Sequence, residues 1–345
     1  MKHILQGFMV SALLFAAWFV TMIGGWGEVA RAIAGEPDAP FDDADVEVLV
    51  GAPLPGGDEL GMPTRLDVEG DELLVLDRFR REAIVALDRH SGRLLRSFGT
   101  EGDGPGEFRS PVAFVPDARG VAVLDVGWNR VTWLASEPEA FGLLATKQFL
   151  VDFPATDLVP TPGGDFLVLG FTGDGRLARL SPAGRFLGYE GSPVEVENLP
   201  PERRIEALQG TLRAAPGGDR LVRTHRFASR LEVIDLETST STEIWGHERF
   251  APERGNDYRT RFGYLDSAPM TDGVLALYSG RTREDYPERA NYASVVHEFG
   301  WDGRPRREYR LDADVIAITW SMADRLLYAA RHEPVPSIVV YELDR

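Results

Sequence analysis

The chain has 345 residues, a formal net charge of −17 and no cysteine. The acidic balance disfavours nucleic-acid partners, because phosphate backbones are repelled by negative charge. The absence of cysteine excludes disulfides, thiol chemistry and lipid attachment to a cysteine. Apolar residues make up 43 % of the chain, which is enough for a sizeable core and disfavours intrinsic disorder.

The N-terminus indicates export. Ile4–Ile23 is a run of 20 uncharged residues, long enough to cross a bilayer as a helix. A small-x-small cleavage pattern follows at Ala32–Ala34, so residues 1–34 are either a cleaved signal peptide or a retained signal anchor. Both alternatives predict an extracytoplasmic protein that is periplasmic, secreted or anchored to the cytoplasmic membrane. The proline-containing residues 35–44 indicate a tether.

A short phrase recurs six times in residues 45–345. Each copy is a polar turn that leads into a short apolar strand, as in Gly70–Asp77 and Ala118–Asp125. The other copies are Gly163–Gly170, Gly217–Thr224, Asp272–Ser279 and Ala323–Ala330. Their ends lie 48, 45, 54, 55 and 51 residues apart, a period typical of propellers, whose repeats are small sheets that cannot bury both faces alone. The sequence predicts an all-β, six-bladed β-propeller preceded by one N-terminal apolar helix.

The recurring phrase is expected to be the second strand of a four-stranded blade. In the first unit the four strands are predicted at Thr64–Val68, Glu72–Asp77, Ala83–Asp88 and Arg93–Gly99. Val, Leu, Ile and Phe dominate these runs, and Gly, Asp and Ser separate them, as strands and tight turns require.

The last predicted blade lacks its fourth strand, because the third ends at Leu343. Val46–Val50 is an apolar alternation with no predicted partner elsewhere. We expect this segment to fill the outer position of the last blade. Pairing both ends of the propeller in one sheet would close the ring and remove an exposed edge.

Ser97–Pro111 reads SFGTEGDGPGEFRSP and resembles the inter-blade segment of NHL-type six-bladed propellers, whose form is Gly…Gly-x-Gly-x-Gly-x-Phe-x-x-Pro. Val121–Trp133, with Asp125 and Asn129 followed by Arg130, resembles the strand pair after that segment. The resemblance to the NHL-like and TolB-like superfamily implies the six-bladed fold. It implies little about function, because such propellers serve as binding scaffolds, secreted enzymes and structural modules.

Arginines concentrate in the predicted loops between second and third strands, which lie on one rim of the ring. We define the arginine rim as residues 78–82, 126–130, 171–176, 223–230, 280–291 and 331–336. It holds twelve arginines and six acids, although the whole chain is acidic. Guanidinium groups suit bidentate contact with carboxylates, sulfates or phosphates. The candidate ligand-binding residues are Arg78, Arg81, Arg130, His225, Arg226, Arg281, Arg331 and His332.

The alternative for these arginines is structural. Acids of the inter-blade loops, such as Asp103, Glu107, Glu190 and Glu248, are predicted on the same rim and could pair with them. Surface ion pairs of this kind are common and contribute little.

A metal-dependent hydrolase of lactonase type is the alternative function. Asp77 and Asp125 end the first two second strands, with Asn129 nearby, and oxygen donors suit a hard cation. The equivalent positions in later blades are Gly170, Thr224, Ser279 and Ala330, which cannot complete a strong cation ring. Strand-end carboxylates also bind the backbone of turns.

The leading prediction is a non-catalytic, extracytoplasmic propeller that binds a protein or a small anionic ligand on the arginine rim. No catalytic residue, metal ligand or cofactor is assigned, because the sequence contains no G-x-S-x-G pattern and no closely spaced histidines. Membrane contact is expected only through an uncleaved N-terminal helix. A purely structural module of an envelope assembly is a further alternative.

Overall fold

The computed structural model describes residues 46–56, 59–104, 106–117, 120–135, 149–150, 153–172, 175–191, 193–194, 199, 204, 207–246, 248–251 and 258–343. They belong to one compact unit, residues 41–345. The predicted helix Ile4–Ile23, its cleavage pattern and the tether lie outside the described residues. Within the described ranges, no helix is long and apolar enough to cross a membrane.

All 25 regular elements of the described residues are β-strands, arranged as six sheets. Two short strands come first, β1 (Val46–Leu49) and β2 (Ala52–Pro53). Blade 1 contains β3 (Pro63–Glu69), β4 (Glu72–Asp77), β5 (Glu82–Asp88) and β6 (Leu94–Thr100). Blade 2 contains β7 (Pro111–Asp117), β8 (Gly120–Asp125), β9 (Arg130–Ala135) and β10 (Phe149–Leu150). Blade 3 contains β11 (Ala155–Pro160), β12 (Phe166–Gly170), β13 (Leu177–Leu180) and β14 (Phe186–Glu190).

The remaining strands form the second half of the ring. Blade 4 contains β15 (Leu212–Ala214), β16 (Arg220–Thr224), β17 (Arg230–Asp235) and β18 (Thr240–Trp245). Blade 5 contains β19 (Tyr264–Pro269), β20 (Gly273–Tyr278), β21 (Ala293–Gly300) and β22 (Pro305–Val315). Blade 6 contains β23 (Ala317–Ser321), β24 (Leu326–Arg331) and β25 (Ser337–Glu342). The predicted all-β, six-bladed propeller is confirmed.

The recurring sequence phrase is the second strand of every blade, as predicted. All residues of β8 and β12 are buried, because each blade is covered on both faces by its neighbours. Phe114 and Val123 of blade 2, for example, pack with Leu74 and Leu76 of blade 1. Apolar residues on both faces of one strand therefore build the core between blades.

Two N-terminal strands close the ring, and one of them differs from the prediction. β2 pairs antiparallel with β25, placing Ala52 opposite Val340, and is the outer strand of blade 6. The placement of Val46–Val50 in that position is wrong, because β1 pairs parallel with β22 as a fifth strand of blade 5. The reason is the length of β22, whose eleven residues present a long outer edge that β1 covers.

Gly51 lies where the chain passes from blade 5 to blade 6. A Cβ atom there would overlap the Cγ1 of Val339 and the ring of Tyr341. Gly51→Ala is therefore expected to lower the free energy of unfolding by about 1–3 kcal/mol through overpacking. Urea unfolding measures the effect, and Gly163→Ala is the control, because a Cβ at Gly163 has only Thr161 Oγ1 nearby, at 3.8 Å. Equal stability of the two variants would contradict this role of Gly51.

Candidate functional site

A layer of ion-paired side chains crosses the central channel. Arg65 on β3 donates from Nη1 to Oδ2 of Asp157 on β11 at 2.6 Å. Arg213 on β15 donates to Asp266 on β19 through Nε at 3.1 Å and Nη2 at 2.8 Å. All four side chains are buried. We call these four residues the channel layer.

Backbone groups extend the channel layer to a further blade. Asp157 accepts a hydrogen bond from the Leu212 amide at 2.8 Å, and Asp266 accepts one from the Ile318 amide of blade 6 at 3.1 Å. Burial opposes the charge of Arg213, but the carboxylates of Asp266, Asp67 and Asp157 together outweigh this cost, so the pKa of Arg213 lies above its usual value. The channel layer thus joins blades 1, 3, 4, 5 and 6.

The channel layer separates two cavities. The upper cavity, on the arginine-rim side, has a volume of about 300 Å³ and is lined by Arg78, Arg226, Gln209 and Asn291 together with the channel layer. The lower cavity, on the opposite side, has a volume of about 420 Å³. Its walls include Arg65 and Arg213 but neither Asp157 nor Asp266.

Two of the predicted binding residues, Arg78 of blade 1 and Arg226 of blade 4, meet in the upper cavity. Burial lowers the pKa of Arg226; Asp266 partly offsets this effect and Arg283 adds to it. Within the described part of the chain, no carboxylate oxygen lies within 4.0 Å of a guanidinium nitrogen of Arg78 or Arg226, the limit for an ion pair. Four arginines and two aspartates line the cavity, so it carries an excess of two positive charges.

Other predicted residues make structural contacts elsewhere. Arg130 is buried and donates to the carbonyl of Glu107 at 2.5 Å. Arg281 binds both carboxylate oxygens of Asp314, at 2.8 and 2.6 Å. These contacts match the structural alternative, in which the arginines of the rim hold the propeller together.

Arg331, Arg81 and His332 also lie away from the upper cavity. Arg331 donates to the hydroxyl of Ser337 and lines a separate cavity of about 510 Å³ between blades 5 and 6. Arg81 is exposed, 3.9 Å from Glu82. His332 Nε2 lies 2.7 Å from a carbonyl oxygen, that of Pro63, and must donate to it, so Nδ1 accepts from the hydroxyl of Tyr292.

His225 is buried beside two arginines. Its Nε2 has no hydrogen-bond partner among the described residues. Burial and the charges of Arg223 and Arg230 hold the pKa of His225 well below its usual value. His225 is therefore a neutral, buried residue, and it is not among the residues that line the upper cavity.

The strand-end carboxylates hold inter-blade segments. Asp77 accepts hydrogen bonds from the amides of Gly61 and Met62, both at 2.6 Å. Asp125 accepts from the amides of Arg109 at 3.1 Å and Ser110 at 2.9 Å. In the residues that the structure describes, no group of three His, Asp or Glu side chains could hold a metal ion.

The channel layer was not predicted from the sequence. Its signal is a charged residue within the first strand of a blade. Arg65 lies in PTRLDVE, and Asp157 lies in ATDLVP. Such a residue resembles the solvent-facing position of an alternating strand, and only ring closure shows that it faces the channel.

Comparison with known proteins places the chain in a family. The family model described as TolB-like 6-blade propeller-like matches residues 60–321, most of the chain. The chain therefore belongs to the TolB-like six-bladed propellers. A search of curated proteins found no match.

Two solved structures resemble this one in fold. A Bacteroides fragilis protein described as exported has a TM-score of 0.60 and 12 % sequence identity, covering 87 % of this chain and 99 % of its own. U3-55K has a TM-score of 0.53 and 12 % identity, covering 88 % of this chain and 100 % of its own. At this identity the similarity shows the fold alone.

Removing one partner of an ion pair in the channel layer should destabilise the fold. Arg65→Met is expected to lower the free energy of unfolding by about 3–5 kcal/mol, because the buried Asp157 charge loses its partner. Arg65→Met combined with Asp157→Asn should lower the free energy of unfolding by less, since the buried charge is gone, although the amide oxygen can accept from Leu212 or from Leu158 but not from both. Denaturant unfolding measures both variants. Arg109→Met, which breaks an exposed pair with Asp103, is the control and should change little; equal effects of Arg65→Met and Arg109→Met would contradict the prediction.

Because of His225, we expect the protein to lose stability as the pH falls from about 6.5 to 5. The unfolded histidine takes up a proton below about pH 6.5 while the folded one stays neutral, so the free energy of unfolding falls by up to about 1.4 kcal/mol per pH unit. Glu308, whose pKa is lowered to about 2 by a hydrogen bond from His297, contributes only below about pH 4.5. Urea unfolding between pH 5 and 8 measures the slope. His225→Gln should flatten it and His90→Gln, at an exposed position, should not; equal slopes in both variants would argue against His225.

Proposed function

We propose that this protein is an extracytoplasmic, non-catalytic binding propeller whose upper cavity recognises the anionic group of a small ligand or an acidic peptide. The observation that carries the proposal is the pair Arg78 and Arg226, which share one cavity and have no carboxylate partner among the described residues. Every other charge of that cavity belongs to the paired channel layer.

The environment of Arg226 favours an anion. Burial makes its charge costly, as the direction of its pKa shift shows, and a bound carboxylate would offset that cost. The amides of Gln209 and Asn291 and the hydroxyl of Thr64 line the same cavity and can complete the hydrogen bonds of an anion. A volume of about 300 Å³ fits one small acid or the acidic end of a peptide, and not a folded domain.

Two observations support an extracytoplasmic location. The uncharged run Ile4–Ile23 is as long as a membrane-spanning signal anchor. It is also longer than the apolar core of a signal peptide, and both kinds of segment direct export. The fold is also shared with a protein described as exported. The hydrolase alternative has less support, because Asp77 and Asp125 already accept backbone hydrogen bonds and are thereby drawn away from metal binding.

Calorimetric titration with triglutamate and triglutamine tests the proposal. We expect triglutamate to bind and triglutamine not to bind. Arg78→Gln combined with Arg226→Gln should weaken the affinity for triglutamate at least about tenfold, because two charge-assisted contacts are lost. Arg81→Gln removes one positive charge from an exposed position of the same rim and is the control. Equal weakening by Arg81→Gln would indicate a diffuse electrostatic effect, and unchanged binding in the double variant would refute the role of the upper cavity.

A further inference from the structure

The lower cavity differs in chemistry from the upper one. It opens on the rim formed by the turns between first and second strands, and much of its wall is apolar, including Val68, Val159, Leu212 and Trp320. Its volume of about 420 Å³ lies in the range of small-molecule sites, which combine apolar walls with a few polar groups.

Asp67 is a carboxylate of this cavity with remaining capacity to accept hydrogen bonds. Its nearest cation is Arg213, whose Nη1 lies 3.8 Å from Oδ2, too far for a hydrogen bond. Arg213 is committed to Asp266 and donates from Nη1 to the carbonyl of Leu66 at 2.9 Å. Burial raises the pKa of Asp67, and the charges of Arg213 and Arg65 and a hydrogen bond from the Val68 amide only partly offset this effect.

Ser267 of blade 5 supplies a second polar group to this cavity. It is fully buried, and its Oγ has no hydrogen-bond partner among the described residues. Buried hydroxyl groups are normally hydrogen-bonded, so an unpartnered one that lines a cavity indicates a missing partner. Ser267 can both donate and accept, whereas the carboxylate of Asp67 only accepts.

The charge balance of the cavity favours a cation. Its arginines, Arg65 and Arg213, are neutralised by the aspartates of the channel layer, which face the upper cavity. Asp67 is a further carboxylate of this cavity and lies outside the channel layer. The aromatic ring of Trp320 adds a surface that attracts cations through its π electrons.

We propose that the lower cavity binds an organic ammonium ion with an apolar body. The ammonium group donates to Asp67 and Ser267, and the apolar part packs against the aliphatic wall and Trp320. This site shares no ligand-binding residue with Arg78 and Arg226 and does not depend on the function proposed for the upper cavity. The two ends of the channel would then select ligands of opposite charge.

Titration of the full-length protein with 2-phenylethylammonium and 2-phenylethanol tests the site, because the two probes have similar shapes and differ in charge. We expect the ammonium to bind at least about tenfold more tightly to the wild type, and Asp67→Asn to remove this preference. Asp71→Asn, which neutralises an exposed carboxylate outside the cavity, should retain it. Arg78→Gln combined with Arg226→Gln should also retain it, which separates this site from the upper cavity.

Three results would overturn the proposal: no binding of the ammonium to the wild type, equal affinity for the two probes, or the same preference in Asp67→Asn. The first two need no variant and remain decisive if Asp67→Asn does not fold. Ser267→Ala provides a second variant with little change in volume. This variant should bind the ammonium several-fold more weakly than the wild type, and unchanged affinity would contradict the role of the Ser267 hydroxyl.

Discussion

The buried ion pairs of the channel layer are the constraint on which the rest of this structure depends. Arg65 and Asp157 are 92 residues apart in sequence, and Arg213 and Asp266 are 53 apart. A buried charge without its partner is strongly unfavourable, so these inner strands must reach their final positions together. The apolar core between neighbouring blades aligns each sheet locally, whereas Arg65 connects blade 1 to blade 3 through Asp157, and Arg213 connects blade 4 to blade 1 through the carbonyl of Leu66. The channel layer therefore specifies the ring as a whole.

The same layer gives the channel two chemically distinct ends. Because its two arginines and two aspartates neutralise each other, the residual charge of each cavity comes from residues outside the layer. Arg78 and Arg226 make the upper cavity positive, and Asp67 contributes a carboxylate to the lower one. A wide, water-filled channel would average these fields. The neutral, buried layer lies between the two cavities and keeps their fields separate.

The fold was largely predictable from the sequence because its signal is local. A second strand covered on both faces is largely apolar, and Val121–Leu124 of β8 and Phe166–Leu169 of β12 show this pattern with a regular period. The closure was less predictable. Whether β1 or β2 becomes the outer strand of blade 6 depends on the eleven-residue length of β22. The period of the repeat does not reveal that length. Pro53 also argues against a strand, yet it is tolerated because β2 occupies an outer edge, where no further strand needs its amide.

The site was less predictable because counting arginines cannot show where each guanidinium points. Arg130 has an acid five residues away, Asp125, whose carboxylate lies 3.7 Å from the guanidinium. Arg130 also donates to the carbonyl of Glu107. Arg226 reaches the same cavity as Arg78 only because ring closure brings blades 1 and 4 to one axis. Local sequence can identify the arginines that the fold neutralises nearby. It cannot identify those that face the channel, since their surroundings consist of residues from distant blades. In a closed ring the residues with the least local explanation are thus the best candidates for ligand binding, and Arg226 and Asp67 both meet that criterion.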